Sequence, residues 1–313
     1  MLRWLRVHFP VEHIPSERYQ EADYLICGDF GYRHESFRGV KIFTTGENHA
    51  PNLCDYDYCL THEWAENDRC LRFPYWQTVL LCWSVYRERL QQPRPALTVE
   101  MLRAQKRDFC AFVCRNAACR KRNRFVRRLS ARRTVHCAGP LMNNIGGILP
   151  PGCEAKWDYV SKHLFCVCYE NESHPGYQTE KILDAFMARS IPIYWGSPTV
   201  TEEFNPKAFV NAHDFRSDAE LIDYLLELAQ DEERMVAMLN EPIFRDPQVV
   251  EKAEARLVAF FEKIFRRGPG AVRRSRLQRI HAVLMRFYGH GFFRTLRRIS
   301  RAIRGKKNNN LVN

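Results

Sequence analysis

Three consecutive residues, Thr179, Glu180 and Lys181, could bind a phosphorylated sugar at the start of one helix. Thr179 is a candidate N-cap, and the free N–H groups of a first helical turn favour an anion. Lys181 offers a positive charge to a phosphate, Glu180 a carboxylate to sugar hydroxyls, and Tyr177 a ring that could stack on a base or ribose. The helix alone is equally compatible with a capped surface helix whose charges are solvated.

The hydrophobic pattern predicts the elements that position these residues. The apolar run His163–Cys168 predicts a buried strand, which leads into the polar loop Glu170–Gly176 and then into the helix. A second apolar run, Ile191–Trp195, predicts another strand before a Gly-Ser-Pro turn. This strand–loop–helix–strand order favours a parallel α/β sheet, in which ligands bind at the carboxyl ends of the strands.

The whole run from Phe165 to Phe215 resembles the donor-binding signature of the α-1,3-fucosyltransferases of glycosyltransferase family 10, which has bacterial members. The matching segments are Phe165–Asn171, Gly176–Ala185, Ile191–Pro198 and Phe204–Phe215. A second block, Val40–Trp76, is similar to the family's amino-terminal block in Thr45–Pro51 and Asp68–Pro74, and Phe109–Leu129 gives a weaker match. The resemblance covers about residues 20–265.

The resemblance implies an α/β protein of the GT-B type, with two Rossmann-like domains that face a cleft. Residues 1–102 would form the acceptor-side domain, and residues 103–265 the GDP-fucose-binding domain, with a final helix that can cross back to the first. The family's early Asn-Phe-Phe segment is not apparent before Tyr24. This leaves open a reduced acceptor domain or a start codon further upstream.

The implied reaction is an inverting transfer of L-fucose from GDP-β-L-fucose to the N-acetylglucosamine of a lactosamine-like glycan, on lipopolysaccharide or another surface glycan. A single displacement needs a base for the acceptor hydroxyl and stabilisation of the departing GDP. Glu47 matches the glutamate that is regarded as the family's base, and Asn48 and His49 are assigned to the acceptor side. Without the resemblance, Glu47 could equally be a solvated loop carboxylate.

The remaining family positions belong to the donor side. Asn171 and Tyr177 match residues near the nucleotide and the sugar. Glu180 matches a glutamate near the ribose or fucose ring, where it could also stabilise positive charge at the anomeric carbon. Lys181 would neutralise charge on the diphosphate. Glu180 and Lys181 are therefore predicted to take part in catalysis together with Glu47.

One departure from the family pattern concerns the diphosphate. Some bacterial relatives place an arginine against it, in a Gly-rich loop shortly before the signature. The matching position here is Met142, or Asn143 if the gap shifts. The diphosphate would then be bound by a lysine and by backbone N–H groups at Gly146 and the next glycine, or by an arginine from elsewhere, such as Arg124.

Metal ligands are not indicated by the sequence. The only D-x-D spacing considered, Asp55–Asp57, lies in the acceptor-side block, and none of the 12 cysteines forms a C-x-x-C pair. We therefore expect that no metal or cofactor is required, with divalent cations left as optional stimulators.

The last part of the chain is strongly basic. From Arg266 onward it carries twelve Arg and two Lys with no acid, so that, of the net charge of +12, this tail contributes +14 and the rest −2. Apolar residues recur there at helical spacing, which predicts two basic amphipathic helices on an anionic membrane surface, over residues 266–313. The alternatives are a disordered tail, a helix packed on the enzyme, or nucleic-acid binding, for which no recognised fold is present.

Neither a secretory signal nor an apolar stretch of about 18 residues is apparent, so the expected location is cytoplasmic, on the inner face of the cytoplasmic membrane. The alternatives to the main prediction are a fucosyltransferase with α-1,4 linkage or another acceptor, and a degenerate transferase that acts as a basic membrane- or nucleic-acid-binding protein. Oligomeric state is open.

Overall fold

A computed structural model of the chain describes residues 1–31, 33–53, 55–64 and 66–271. These residues form two compact units. The larger unit comprises Met1–Val11, His62–Glu66 and Arg72–Ala259; the smaller comprises Glu12–Thr61, Asn67–Leu71 and the residues from Phe260 onward. Of the predicted basic tail, residues 272–313 lie outside the described part of the chain.

The described residues form nine strands and eleven α-helices. The strands are β1 (Tyr24–Cys27), β2 (Val40–Phe43), β3 (Tyr58–Thr61), β4 (Cys70–Arg72), β5 (Asp108–Phe112), β6 (Val135–Cys137), β7 (His163–Tyr169), β8 (Ile191–Trp195) and β9 (Val210–Asn211). The α-helices are α1 (Leu2–His8), α2 (Arg33–Ser36), α3 (Tyr75–Cys82), α4 (Ser84–Gln91), α5 (Val99–Gln105), α6 (Arg120–Ser130), α7 (Cys153–Val160), α8 (Glu180–Met187), α9 (Asp218–Leu228), α10 (Glu232–Asn240) and α11 (Val249–Arg267).

The smaller unit is built on a four-stranded sheet with the order β1-β2-β3-β4. The first three strands are parallel, with Tyr24 opposite Val40 and Ile42 opposite Tyr58. The buried side chains of β2 and β3 form most of its core, together with Tyr56. The carboxyl end of β2 leads directly into the segment that carries Glu47.

The larger unit contains a five-stranded parallel sheet with the order β6-β5-β7-β8-β9. One core packs α3, α4, α7 and α8 against it, and a second core packs α5, α6, α9 and α10. Because helices cover both faces, β7 is buried along its length except at the half-buried Leu164, as expected of a parallel strand. The predicted α/β class with parallel strands is confirmed.

The elements around the signature follow the sequence closely. The predicted strand Ile191–Trp195 is β8, and β7 extends one residue beyond the predicted strand, to Tyr169. Their apolar, β-branched and aromatic residues suit a central parallel strand. The loop after β7 and the start of α8 therefore lie at the carboxyl edge of the sheet, where the strand pattern placed them.

Candidate active site

One buried carboxylate, Glu170, fastens the loop that follows β7. The Thr179 backbone N–H donates to Glu170 Oε1 at 2.7 Å, and the Thr179 hydroxyl contacts the two carboxylate oxygens at 3.0 and 2.8 Å. Lys181 Nζ donates to Glu170 Oε2 at 2.8 Å. Gly196 leaves room for this carboxylate, since a Cβ there would lie 2.5 Å from Glu170 Cγ. Glu170 thus joins the end of β7 to the start of α8.

Thr179 is the N-cap residue of α8, as predicted, but its side chain makes no capping hydrogen bond. Its hydroxyl donates to Glu170 and accepts from Lys181 Nζ at 2.9 Å. The predicted capping bond is therefore replaced by a polar network that holds Lys181 at the first turn of the helix.

The charges in this network stabilise one another. Burial opposes the charged form of Lys181, but the Glu170 and Glu180 carboxylates outweigh it and raise the pKa of the ammonium group. Burial likewise opposes ionisation of Glu180, but Lys181 and Lys156 lower the pKa of its carboxyl group. At neutral pH the start of α8 therefore carries both the ammonium group of Lys181 and the carboxylate of Glu180.

A small cavity lies at the carboxyl ends of β5 and β7, and three cationic side chains line it: Arg122, Lys156 and Lys181. Its volume of about 20 Å³ matches one water molecule. Lys156 Nζ lies 2.5 Å from Asp184 Oδ2, so this charge is also balanced by a carboxylate. The site concentrates positive charge at the sheet edge while each lysine keeps an internal partner.

Arg122 positions the residue that follows Glu170. It is 1% exposed and donates through NH1 to the Tyr169 carbonyl at 3.1 Å and to Asn171 Oδ1 at 3.0 Å. Its NH2 donates to the Asn116 carbonyl at 2.6 Å. The guanidinium group thereby fixes the carboxyl end of β7 and orients the Asn171 amide.

The middle of the loop is packed against residues 62–64. Gly176 has φ +80°, and a Cβ there would lie 2.3 Å from the His62 carbonyl oxygen, so only glycine fits this approach. The Tyr177 side chain is 1% exposed, and its ring meets the His62 ring edge-on at 5.3 Å. The ring of Tyr177, which was predicted to stack on a base or ribose, is thus buried.

The residues predicted for the acceptor side lie in the smaller unit, after β2. The Glu47 backbone N–H donates to Thr45 Oγ1 at 2.8 Å, and the His49 N–H donates to the Glu47 carbonyl at 2.8 Å. The His49 ring lies 2.5 Å from Asp29, which also contacts the Thr45 hydroxyl. The loop is fixed through its backbone, Thr45 and Asp29, while the side chains of Glu47 and Asn48 are half-buried.

Comparison with known proteins agrees with this arrangement. Residues 102–240 match the family described as "Glycosyltransferase family 10 (fucosyltransferase) C-term", and residues 2–79 match the "Alpha-(1,3)-fucosyltransferase FucT N-terminal domain". A crystal structure of an α1,3-fucosyltransferase with GDP-fucose is 30% identical, with a TM-score of 0.59 over 77% of this chain and 78% of that one. The chain belongs to glycosyltransferase family 10.

Two further matches to α-1,3-fucosyltransferases extend the comparison. A crystal structure of an α1,3-fucosyltransferase gives a TM-score of 0.65 at 29% identity, over 83% of this chain and 84% of that one. The α-(1,3)-fucosyltransferase FucT of Helicobacter pylori is 33% identical over an alignment of 232 positions that covers 66% of this chain and 48% of that protein. This family 10 chain thus spans about half the length of that relative. The predicted GT-B fold class is confirmed.

The structure brings most of the predicted donor-side residues of this family 10 chain together. Asn171 and Tyr177 lie in the loop between β7 and α8, and Glu180 and Lys181 are the first two residues of α8. Gly146 lies elsewhere, in the loop after β6, with φ +78°. The contacts of these residues with a ligand remain predictions.

Arg124, the arginine that the sequence analysis considered for the diphosphate, is on α6 two residues after Arg122 but is exposed. It is 57% exposed and its Nε lies 3.2 Å from Asp218 Oδ2, which Arg128 also contacts at 3.1 Å. Both arginines line a cavity of about 280 Å³ with Lys121. Arg124 is therefore engaged with α9.

Sequence reasoning missed Arg122 although a signal was present. Arg122, Phe125, Val126 and Leu129 are all buried, and their spacing of three, four and seven residues places them on one face of α6. An arginine on an otherwise apolar face needs buried acceptors. The basic run around it had concealed this position among exposed charges.

Two groups of described residues have metal-ligand chemistry: His62, Glu63 and His174, and Asp108, His136 and His163. Neither was predicted. The D-x-D spacing does not form such a group, since Asp57 is 4% exposed and its Oδ2 accepts a hydrogen bond from the Lys41 backbone N–H at 2.8 Å.

Among the described residues, no helix has the length and apolar character needed to span a membrane.

Proposed function

We propose that this protein is an inverting α-1,3-fucosyltransferase that moves L-fucose from GDP-β-L-fucose to the N-acetylglucosamine of a lactosamine-like glycan, on lipopolysaccharide or another surface glycan. Family membership supports the reaction class, and the solved relative with GDP-fucose supports the donor. The observation that carries the proposal is the Glu170–Thr179–Lys181 network, which holds a protonated lysine at the carboxyl edge of the parallel sheet.

On the donor side, Lys181 stabilises the negative charge that develops on GDP as the bond to the sugar breaks. A preorganised cation at this position lowers the barrier because it needs no reorganisation during the reaction. Glu180 accepts hydrogen bonds from the fucose or ribose hydroxyls and stabilises positive charge at the anomeric carbon. Asn171, oriented by Arg122, contacts the nucleotide or the sugar.

On the acceptor side, Glu47 is the base. Its carboxylate takes the proton of the acceptor hydroxyl while that oxygen forms a bond to the anomeric carbon and GDP leaves from the opposite face with the bonding electron pair. The configuration therefore changes from β in the donor to α in the product. Asn48 and His49 flank this carboxylate and contact the acceptor.

The diphosphate contacts include Lys181, the backbone N–H of Gly146 and Arg124, and metal is dispensable for catalysis. The loop conformation supports Gly146, since Asn143 Nδ2 donates to the Gly147 carbonyl at 2.8 Å and folds the loop back on itself. Residues 266–313 bind an anionic membrane surface, a role supported by the sequence only, through their charge of +14 and the helical spacing of their apolar residues.

The test is transfer from GDP-fucose to N-acetyllactosamine, with the linkage read by NMR. Lys181→Ala is expected to lower kcat/KM by about 10²–10³, the usual loss of one preorganised donor of this kind. Glu47→Gln is expected to lower kcat by about 10²–10⁴ without weakening GDP binding. Lys207→Ala and Glu12→Gln, at exposed positions of the same residue types, serve as matched controls.

Each outcome separates one part of the proposal. Donor hydrolysis without transfer would support the donor and reject the acceptor. An α-1,4 product would correct the linkage alone. If the wild-type protein neither binds GDP nor turns over, the transferase assignment fails and the degenerate alternative takes its place.

A further inference from the structure

A cluster of two histidines and one aspartate lies on three neighbouring strands of the larger unit, away from the segment between β7 and α8. Asp108 begins β5, His163 begins β7, and His136 is the middle residue of β6. His136 Nδ1 lies 3.1 Å from His163 Nε2, and the Asp108 carboxylate oxygens lie 3.7 Å from the first nitrogen and 3.9 Å from the second.

The tautomer of His163 is set by its other nitrogen. His163 Nδ1 lies 3.1 Å from the Tyr159 carbonyl oxygen, so this nitrogen carries the proton and donates it. The Nε2 lone pair is therefore directed toward His136 and Asp108. A histidine whose second ring nitrogen donates to a backbone carbonyl is the usual arrangement of a metal-ligating imidazole.

The spacing of the three ligand atoms matches a transition-metal ion. A tetrahedral zinc ion with bonds of about 2.0–2.2 Å holds its ligand atoms about 3.3–3.5 Å apart. The two ring nitrogens are 3.1 Å apart, and each lies 3.7–3.9 Å from a different oxygen of the Asp108 carboxylate. One ligand atom from each residue lies within 4.8 Å of the others, so a modest rotation of the exposed Asp108 side chain completes the shell. His163 is buried, whereas the side chains of His136 and Asp108 are 31% and 38% exposed, which leaves a solvent-facing side for a water ligand.

We propose that Asp108, His136 and His163 bind one divalent transition-metal ion of the zinc type. The ion joins the starts of β5 and β7 to β6 and so stabilises the sheet. It takes no part in group transfer, because β7 has seven residues and spans roughly 20 Å between His163 and the loop that begins at Glu170. The inference is independent of the proposed function and compatible with metal-independent catalysis.

The experiment uses the full chain, stripped of metal with a chelator and titrated with Zn²⁺ and separately with Co²⁺. We expect one ion per chain and a rise in Tm of about 5 °C at saturating Zn²⁺. His136→Ala is expected to weaken Zn²⁺ affinity by more than about 100-fold, because it removes a direct ligand, and Asp108→Asn to weaken it less. Both residues are partly exposed, so the variants should fold even if a substitution at the buried His163 does not.

His174→Ala is the matched control, since it alters the other cluster of metal-ligand type. Binding that persists in His174→Ala and is lost in His136→Ala supports the proposal. The reverse result would move the site to the other cluster and overturn it. A Co²⁺ spectrum dominated by thiolate charge transfer, or unchanged affinity in His136→Ala, would assign the ion to cysteines or to adventitious binding and also overturn it.

Discussion

The loop after β7 and the loop after β2 occupy equivalent places, each at the carboxyl end of a parallel strand, but they are held in different ways. In the first, buried charges hold one another: Glu170 is 0% exposed and is bonded to both Thr179 and Lys181. In the second, Thr45 and Asp29 fix the backbone, and Glu47 keeps a half-buried side chain.

Because the two loops are held differently, we expect substitutions in them to affect stability and activity to different degrees. A substitution in the Glu170 network leaves a charge without its partner inside the protein, so we expect it to weaken folding and, if Lys181 binds the donor as proposed, donor binding as well. A substitution at Glu47 leaves the backbone bonds of its loop in place, so we expect it to act mainly on turnover if Glu47 is the proposed base. A loss of activity on substitution of Glu47 can therefore be interpreted directly. A loss on substitution of Lys181 can be interpreted only together with a measurement of stability.

The largest expected effect on stability is that of Glu170→Gln. Removing one partner of a buried ion pair costs about 3–5 kcal/mol. The side chain of Lys181 is 21% exposed, so a discount for solvent gives about 2–4 kcal/mol. Urea unfolding should show this loss, and calorimetry should show weaker GDP binding.

Glu47→Gln is the partner in this comparison, with a free energy of unfolding expected within about 0.5 kcal/mol of the wild-type value. Equal destabilisation by the two substitutions would contradict the contrast between the loops. Unchanged stability in Glu170→Gln would show that the Lys181–Glu170 pair contributes little to folding.

An intermediate effect is expected for Lys156→Met, which removes the partner of Asp184. The aspartate side chain is 3% exposed and keeps bonds from the Tyr86 hydroxyl at 2.6 Å and Trp157 Nε1 at 2.8 Å. The lysine side chain is 21% exposed. With these remaining bonds and that exposure, we expect a loss of about 1–3 kcal/mol in the free energy of unfolding.

The pH dependence of this loss identifies its source. Burial opposes the charge on Lys156, but Asp184 and Glu180 raise the pKa of its ammonium group above the ordinary value of 10.5. A raised lysine pKa stabilises the fold fully below the unfolded pKa, and this stability is lost only as the pH rises through the folded pKa. Urea unfolding at about pH 6 and pH 9 should therefore give the same difference from the wild type. A difference that shrinks between these two values, or that also occurs in Lys207→Met, would exclude the ion pair as its origin.

The sequence predicted the strands and helices, and the place of the loop after β7, better than it predicted side-chain contacts. The apolar runs of β7 and β8 determine where strands form, because a buried parallel strand needs continuous hydrophobic residues. They do not show that the Thr179 hydroxyl bonds Glu170 instead of capping α8, since that choice depends on how the β7 end and the helix start approach each other. The burial of Tyr177 depends similarly on residues 62–64, which are more than a hundred positions away in the chain.

The smallest expected effect on stability is that of substituting Arg124, which differs in this respect from Arg122. Arg122→Gln removes buried hydrogen bonds to Tyr169 and Asn171, and we expect about 1–3 kcal/mol of destabilisation with about tenfold weaker GDP binding. Arg124 forms an exposed ion pair with Asp218, which contributes about 0–1 kcal/mol.

Arg128 offers a matched control for Arg124, because both arginines contact Asp218 and are about equally exposed, at 56% and 57%. Arg124→Gln and Arg128→Gln should therefore change the free energy of unfolding alike. If Arg124 also contacts the diphosphate, as the sequence suggests, calorimetry will show weaker GDP binding in Arg124→Gln than in Arg128→Gln. Equal GDP affinities in the two variants would show that Arg124 does not contact the donor. Of the three arginines compared, only Arg122, acting through Asn171, would then keep a proposed role in donor binding.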